Sequence, residues 1–369
     1  MIKYLPYILI VFLFINACSV DDVQKGEGGY DQLTKNSKYK IISDSDFQRI
    51  DSLKYEVVEG IEKTVFDPKF IEVSDTLLLI VDNNTKEIFQ FFDLSNFSKV
   101  ASFGNKGEGP GEVSTPAFIN HNSFIDNDRF EYLDWGRKTL SVYSLEQILS
   151  TDEPVSVKEY MLPPKIISVQ RAVFLEDNTV IGIGGIRDGK LVKASMTNDS
   201  VLAVTPYTPL QENALEYATV GYIYTGEITI NKEKEEIVVI MPRFKMIEFY
   251  DYNLNLLRDV RFEENPKTLL GENGSSARSE TMRYYNDLAI SGEHIYALYL
   301  GNELGSYRAG EEIKNSEIHI FDWEGNPIKK LALNTNLSRI AVDKKNGRIF
   351  GISAYDNSVE YPLVYFNLD

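Results

Sequence analysis

Apolar and polar residues alternate in short runs along most of the chain, and the runs come in pairs joined by polar turns. EIFQFFDLSNFSKVASFG (87–104), TLSVYSLEQILSTDEPVSVKEYML (139–162), MIEFYDYNLNLLRDVRF (246–262) and EIHIFDWEGNPIKKLALN (317–334) share one plan. Each is an alternating strand ending in an aromatic, then a polar turn, then a second alternating strand. A period of two places one row of side chains on each face of a strand, so these segments predict β-hairpins. YPLVYFNLD, at 361–369, is the first half of the same plan.

Ahead of each hairpin stands another: FIEVSDTLLLIVDNNTK, AFINHNSFIDNDRFEYLDWGRK, AVFLEDNTVIGIGGIRDGK, ITINKEKEEIVVIMPRFK, LAISGEHIYALYLGN and IAVDKKNGRIFGISAYDN. Their Asp-Asn, Asn-Gly and Ser-Gly-Glu turns suit tight reversals. Four antiparallel strands repeated six times, with 22 Tyr and 20 Phe to fill the sheets, predict an all-β fold. The expected architecture is a six-bladed β-propeller of four-stranded antiparallel blades over residues 39–369. The sixth unit lacks its outer strand, and LKYEVVEG (53–60) is expected to supply it and close the ring. SLEQIL (144–149) reads as a single helical turn inserted between strands.

The first residues change the picture of where such a propeller sits. Lys3 precedes an apolar run from Tyr4 to Ile15 that is too short to span a bilayer, which takes roughly 20 residues. It reads as a secretory leader over 1–17. Ile15-Asn16-Ala17-Cys18 leads into the one cysteine of the chain, a pattern resembling a bacterial lipoprotein signal cleaved before Cys18. Acyl chains on Cys18 would hold the mature chain at a membrane surface. Residues 18–38 are polar, glycine-containing and without period, as in a flexible tether. Ser19, Asp21 and Asp22 partly resemble the acidic tag of surface-exported lipoproteins, which places the expected anchor on the outer membrane, on its periplasmic or cell-surface side. A net charge of -17 argues against nucleic acid as a partner.

DNNTKEIFQFFDLSNFSKVASFGNKGEGPGEVSTPAF (82–118) resembles an NHL repeat, with an Asp-containing loop before an aromatic-ended strand and then an FG and a GPG segment. DWGRKTLSVY (134–143) carries part of the same pattern. With the leader and six degenerate units, residues 50–369 are similar to the TolB-like six-bladed propeller lipoproteins of Bacteroidetes. That resemblance implies a six-bladed propeller in a group whose members mostly lack an assigned activity. It also makes the glycines at 104, 107, 109 and 111 part of a connection between blades. A phosphate loop would need another spacing, a βαβ setting and no Glu108 or Glu112 to repel an anion.

Chemistry is sparse. His121, His294 and His319 stand at no metal-ligand spacing, Asp126-Asn127-Asp128 lacks the glycine and distal glutamate of a calcium loop, and no nucleophile or paired-cysteine signature occurs. No cofactor or metal site is expected. Four turns between second and third strands carry arginine: Arg137, Arg187, Arg243 and Arg308. Set on one face, they would form a cationic mouth suited to carboxylates or acidic groups, or else brace their own loops through acids such as Asp134 or Asp188. Trp135, Phe244 and Tyr307 lie near the same turns. Residues 264–282 and 301–316 are longer than blade connections need and would form a variable rim.

The expected function is therefore that of a non-catalytic cell-envelope lipoprotein whose propeller face binds a protein, peptide or glycan partner, with Arg137, Arg187, Arg243, Arg308 and Trp135 as ligand-binding candidates. The alternative is a propeller hydrolase of the lactonase type, with a channel calcium held by oxygens of Glu72, Asn120, Glu227 and Asp287. It requires those oxygens to converge on one point.

Overall fold

The computed structural model describes residues 38–368, apart from 62, 110, 116–123, 126–127, 152–153, 167, 176–177, 185–188, 208–222, 263–280, 307–312 and 354–361. The leader, Cys18 and the tether up to residue 37 lie outside the described residues, while Lys38, expected to end the tether, opens a strand. Six sheets form, each built on strands consecutive in sequence, with the N-terminal segment adding one strand to each of three of them. The first blade runs Pro68–Val73, Leu77–Asp82, Glu87–Asp93 and Lys99–Asn105. The second begins with the short Phe124–Ile125 and ends with Lys158–Met161. The third spans Arg171–Leu175 to Val201–Thr205, and the fourth Glu227–Asn231 to Leu256–Phe262. The fifth spans Met282–Ser291 to Pro327–Leu333, and the sixth Leu337–Asp343 to Leu363–Asn367. First strands of blades three, four, five, six and one touch one after another around the axis. This is the all-β, six-bladed propeller that the alternation predicts.

Apolar side chains from adjoining blades meet in six cores that follow one another round the ring. Among the described residues, the seams between blades one and two and between blades four and five are the richest in aromatics. Phe89 lies 4.6 Å from Tyr132 and 5.0 Å from Phe103, in tilted contacts of the kind aromatic rings favour. Leu145 and Ile148 of α1 (Leu145–Ser150), the one α-helix among the described residues, extend the core between blades one and two, and Ser144 caps the helix by accepting from the Gln147 N–H. Sequence expectation and structure agree on that insertion.

Turns follow the repeat plan. Third strands end in Asp93, Asp251 and Asp322, whose carboxylates accept turn N–H groups of Ser95 at 2.8 Å, Asn253 at 2.8 Å and Asn326 at 2.7 Å. The loop after Asn105 is a blade connection. Gly104 has φ +85° and packs on Phe89, and a side chain at Gly107 would strike the Glu112 carboxylate at 1.9 Å. Glu112 instead turns inward to accept from the Gly109 N–H at 2.8 Å.

Ring closure has the expected donor and an extension beyond it. Glu56–Val57 pairs antiparallel with Leu363–Asn367, giving the sixth blade its outer strand. The chain just before it also adds fifth strands: Lys38–Ile42 runs parallel to Leu256–Phe262, and Ile50–Leu53 parallel to Pro327–Leu333. One strap thus joins blades four, five and six. Between its strands, Ile42 and Phe47 enter the core of the seam between blades four and five.

Phe47 covers a polar cluster there. Its ring lies 5.0 Å from that of His319, which stacks on Tyr299 at 4.6 Å. The His319 ring nitrogens meet the Tyr285 hydroxyl and the Glu317 carboxylate, both at 3.0 Å. Asp44 of the strap accepts from Lys330 at 2.9 Å and Lys245 at 3.3 Å. Burial, with Lys330 and Lys245 adding and Glu317 opposing, pushes His319 down to about 4. An unfolded histidine titrates near 6.5, so on acidification the unfolded chain takes up a proton that the native site refuses. Stability should then fall as pH drops from about 6.5 toward 4, by up to about 1.4 kcal/mol per unit. Urea unfolding in His319→Gln should lose the slope between pH 6.5 and 4.5. An unchanged slope would assign the acid sensitivity to other groups.

Candidate functional site

Two strand ends define one face of the ring. Arg171 pairs with Ile183 and Glu227 with Ile240, so first strands begin where second strands finish. The turns from second to third strands therefore lie at the end where the first strands start. Arg137, Trp135 and Arg243 occupy such turns, on the face where the repeat phase puts them. Arg187 and Arg308, like Asn120, lie outside the described residues.

In the second blade this turn is tied into its surroundings. Buried Asp134 ends the second strand and accepts from the N–H groups of Ser114 at 2.8 Å and Arg137 at 3.0 Å. Asp82 does the same in the first blade, accepting from Asp67 and Asn84. The acid shared by the two motifs is thus a clamp that holds the incoming blade connection. The Arg137 guanidinium reaches the Glu112 carbonyl at 3.3 Å and the Glu159 carboxylate at 3.7 Å. Trp135 donates its ring N–H to the Val169 carbonyl at 3.0 Å, and the Lys138 ammonium stands 3.3 Å over its ring. Arg243 is half-buried beside Phe244, which belongs to the core between blades three and four.

At the same end, the channel is crossed by a network of charges from four consecutive blades. Arg171 grips Glu227 with two hydrogen bonds, at 2.7 and 3.0 Å. Arg339 donates through one nitrogen to Glu227 at 2.8 Å and to Asp287 at 2.9 Å. Asp287 also accepts from the Ile340 N–H at 2.7 Å. Burial raises the Glu227 carboxyl, but the Arg171 and Arg339 charges outweigh it and hold the group below its ordinary range. The two carboxylates work in the opposite direction on Arg339, which is held above its usual value against the cost of burial. Forked, charge-assisted bonds of this kind are strong and directional. A second buried pair lies on the seam between blades three and four, where the Lys190 ammonium sits 2.5 and 2.7 Å from the Glu248 oxygens.

This geometry corrects the lactonase-type expectation. Glu227 and Asp287 do meet in the channel, but a guanidinium occupies the point on which they converge. Glu72 stands near the end of its strand, paired with Leu79, and so faces the opposite mouth. There it lines a cavity of about 250 Å³ with Asp75, Lys344 and Lys345. Among the described residues, no three His, Cys, Asp or Glu side chains gather as metal ligands would. Arg171 and Arg339 were not identified from sequence. Each immediately precedes an apolar run, Ala172–Leu175 and Ile340–Val342, and a cation abutting a buried inner strand is the signal that points to them.

Comparison with known proteins agrees with the architecture. The family model described as "TolB-like 6-blade propeller-like" matches residues 46–345. Two solved structures share the fold. One is a Bacteroides fragilis protein inferred to be exported, 14% identical with a TM-score of 0.53, the match covering 90% of this chain and 98% of that one. The other is a member of the DUF4221 family from Bacteroides vulgatus, 12% identical with a TM-score of 0.55, covering 82% and 92%. No curated protein matches the sequence. Among the described residues, no helix is long and apolar enough to cross a membrane.

Removing the central cation tests whether the network is a lock. In Arg339→Met, Glu227 and Asp287 would face each other without their shared partner, at a cost of about 3–5 kcal/mol. The triple variant that adds Glu227→Gln and Asp287→Asn should recover a large part of that loss in chemical denaturation. A loss below about 1 kcal/mol in the single variant would place the pair in solvent-like surroundings.

Proposed function

The chain belongs to the TolB-like six-bladed propeller family, and we propose that this protein is a non-catalytic cell-envelope lipoprotein whose propeller face binds a protein, peptide or glycan partner. The observation that carries this reading is the channel network. The acids best placed for chemistry, Glu227 and Asp287, are bonded to Arg171 and Arg339, and the lowered proton affinity of the Glu227 carboxyl suits a structural tie. A rigid ring with turns and blade connections gathered at one end presents a recognition surface without a reactive centre.

Arg137, Trp135 and Arg243 lie on that face, and Arg187 and Arg308 belong to the corresponding turns in sequence. Arg137 keeps part of its side chain accessible while its bonds to Glu112 and Glu159 fix its direction. A preset guanidinium loses little further freedom when it takes up an acidic group of a partner. The leader and Cys18 support a lipid anchor on the outer membrane, facing the periplasm or the cell surface. The Bacteroides fragilis protein of the same fold, inferred to be exported, is in keeping with a place outside the cytoplasm.

Two experiments separate the parts of this reading. Radiolabelled palmitate should enter the wild-type protein and not Cys18→Ser, which should also leave the membrane fraction; equal labelling of both would remove the anchor. A photo-reactive amino acid at position 138 or 243 should capture one partner of discrete mass in intact cells, whereas the same group at position 345 should not. Equal capture from both faces, or from neither, would overturn the assignment of the face.

A further inference from the structure

The seam between blades two and three is built differently from the others. Its core consists of Leu133, Leu162, Ile166, Val169, Ala172, Val180, Val192 and Ala194, whereas each of the other five seams contains buried aromatic rings. Beside these small side chains lies a cavity of about 440 Å³. That volume falls in the range of small-molecule sites, roughly 300–1,000 Å³.

Glu131 faces this cavity from the middle of the second strand of blade two. The corresponding position, turned toward the following blade, holds Leu79 in the first blade, Ile181 in the third and Val238 in the fourth, all fully buried in their seams. An acid here costs desolvation where the repeat elsewhere has an aliphatic side chain. Val142, Val173 and Leu175 supply apolar wall, while Arg129, Lys158 and Lys232 add positive charge to the lining. The outer lip is ordered across the seam: Asn178 of blade three accepts from the Tyr160 hydroxyl at 3.0 Å and from Lys158 at 3.3 Å.

We propose that this cavity binds a small amphipathic carboxylate, with its apolar body between blades two and three and its carboxylate against Glu131 and the cationic lining. The site is separate from the loop face and stands whether or not that face binds a partner. The charged groups acting on Glu131 come from several elements: Arg129 from its own strand, Lys232 from the end of the first strand of blade four, and Glu72 from blade one. Lys158 and Tyr160 of the outer strand share the cavity with it. Burial dominates and, with Glu72 adding to the rise against Lys232 and Arg129, the Glu131 carboxyl is pushed up to about 8. Below that pH its O–H donates to the bound carboxylate. Above it, the ionised group repels the ligand.

The test is calorimetric titration of the full-length chain with 4-phenylbutyrate and with 4-phenylbutylamine. The carboxylate should bind at pH 7 and weaken by roughly tenfold at pH 9 as Glu131 ionises. The amine should bind at least about tenfold more weakly than the carboxylate at pH 7. Glu131→Gln keeps a neutral hydrogen-bonding group, so its affinity should stay within about threefold at pH 7 and not fall at pH 9. Val157→Trp, at an exposed rim position that leaves the core intact, should abolish binding with an unchanged circular dichroism spectrum. Silence of the carboxylate at pH 7, equal affinities at pH 7 and 9 in the wild type, tighter binding of the amine, or binding unaffected by Val157→Trp would each overturn the proposal.

Discussion

A four-stranded sheet with apolar side chains on both faces has only one way to keep them from water: each face must meet another sheet. Every blade of this protein is such a sheet, so the ring must close, and closure rests on the two-residue strand Glu56–Val57 laid along Leu363–Asn367. The six seams depend on that pairing. The core between blades six and one takes Val58, Ile61 and Val65 from the chain just after the closing strand. The strap before it covers two further outer edges, at blades four and five, with strands that lie parallel to the edges they protect.

Polar groups inside the ring are placed where they tie blades together. Arg171, Glu227, Asp287 and Arg339 come from blades three, four, five and six. Lys190 and Glu248 span blades three and four, and the His319 cluster joins blades four and five to the strap. Apolar packing between twisted sheets tolerates small slips, whereas a charge-assisted bond to a buried group does not. These ties therefore fix how neighbouring blades stand, at the desolvation cost that such buried charges carry. They occupy the side chains that a catalytic reading of the sequence would recruit, which is why a channel with several acids shows no free reactive set among the described residues.

The strands facing water tell a complementary story. Outer strands of blades two and three have no fifth strand, and they carry exposed Met161, Leu202 and Val204. The seam between those same blades has the smallest side chains and an acid in an aliphatic slot. The seam between blades two and three is thus the least tightly filled, whereas aromatic rings crowd the seam between blades one and two, whose outer edges equally lack a fifth strand.

The alternation of apolar and polar residues, the recurring aromatic followed by aspartate, and the unpaired LKYEVVEG segment determined the strands, the six blades and the source of the closing strand. These are local patterns that act within one hairpin or one turn, so they can be read from one stretch of chain. The same holds for the glycines of the first connection, set by Gly104 against Phe89 and Gly107 against Glu112. The tertiary structure alone decided that KYKII and IDSL become edge strands, because such short segments acquire a strand's hydrogen bonds only from a partner more than two hundred residues away. It also decided what the charged residues do. Arg137 became a brace, Glu227 and Asp287 met a guanidinium, and Glu131 came to face a cavity. Each outcome depends on which blade stands opposite, and that distance through space is not written in spacing along the chain.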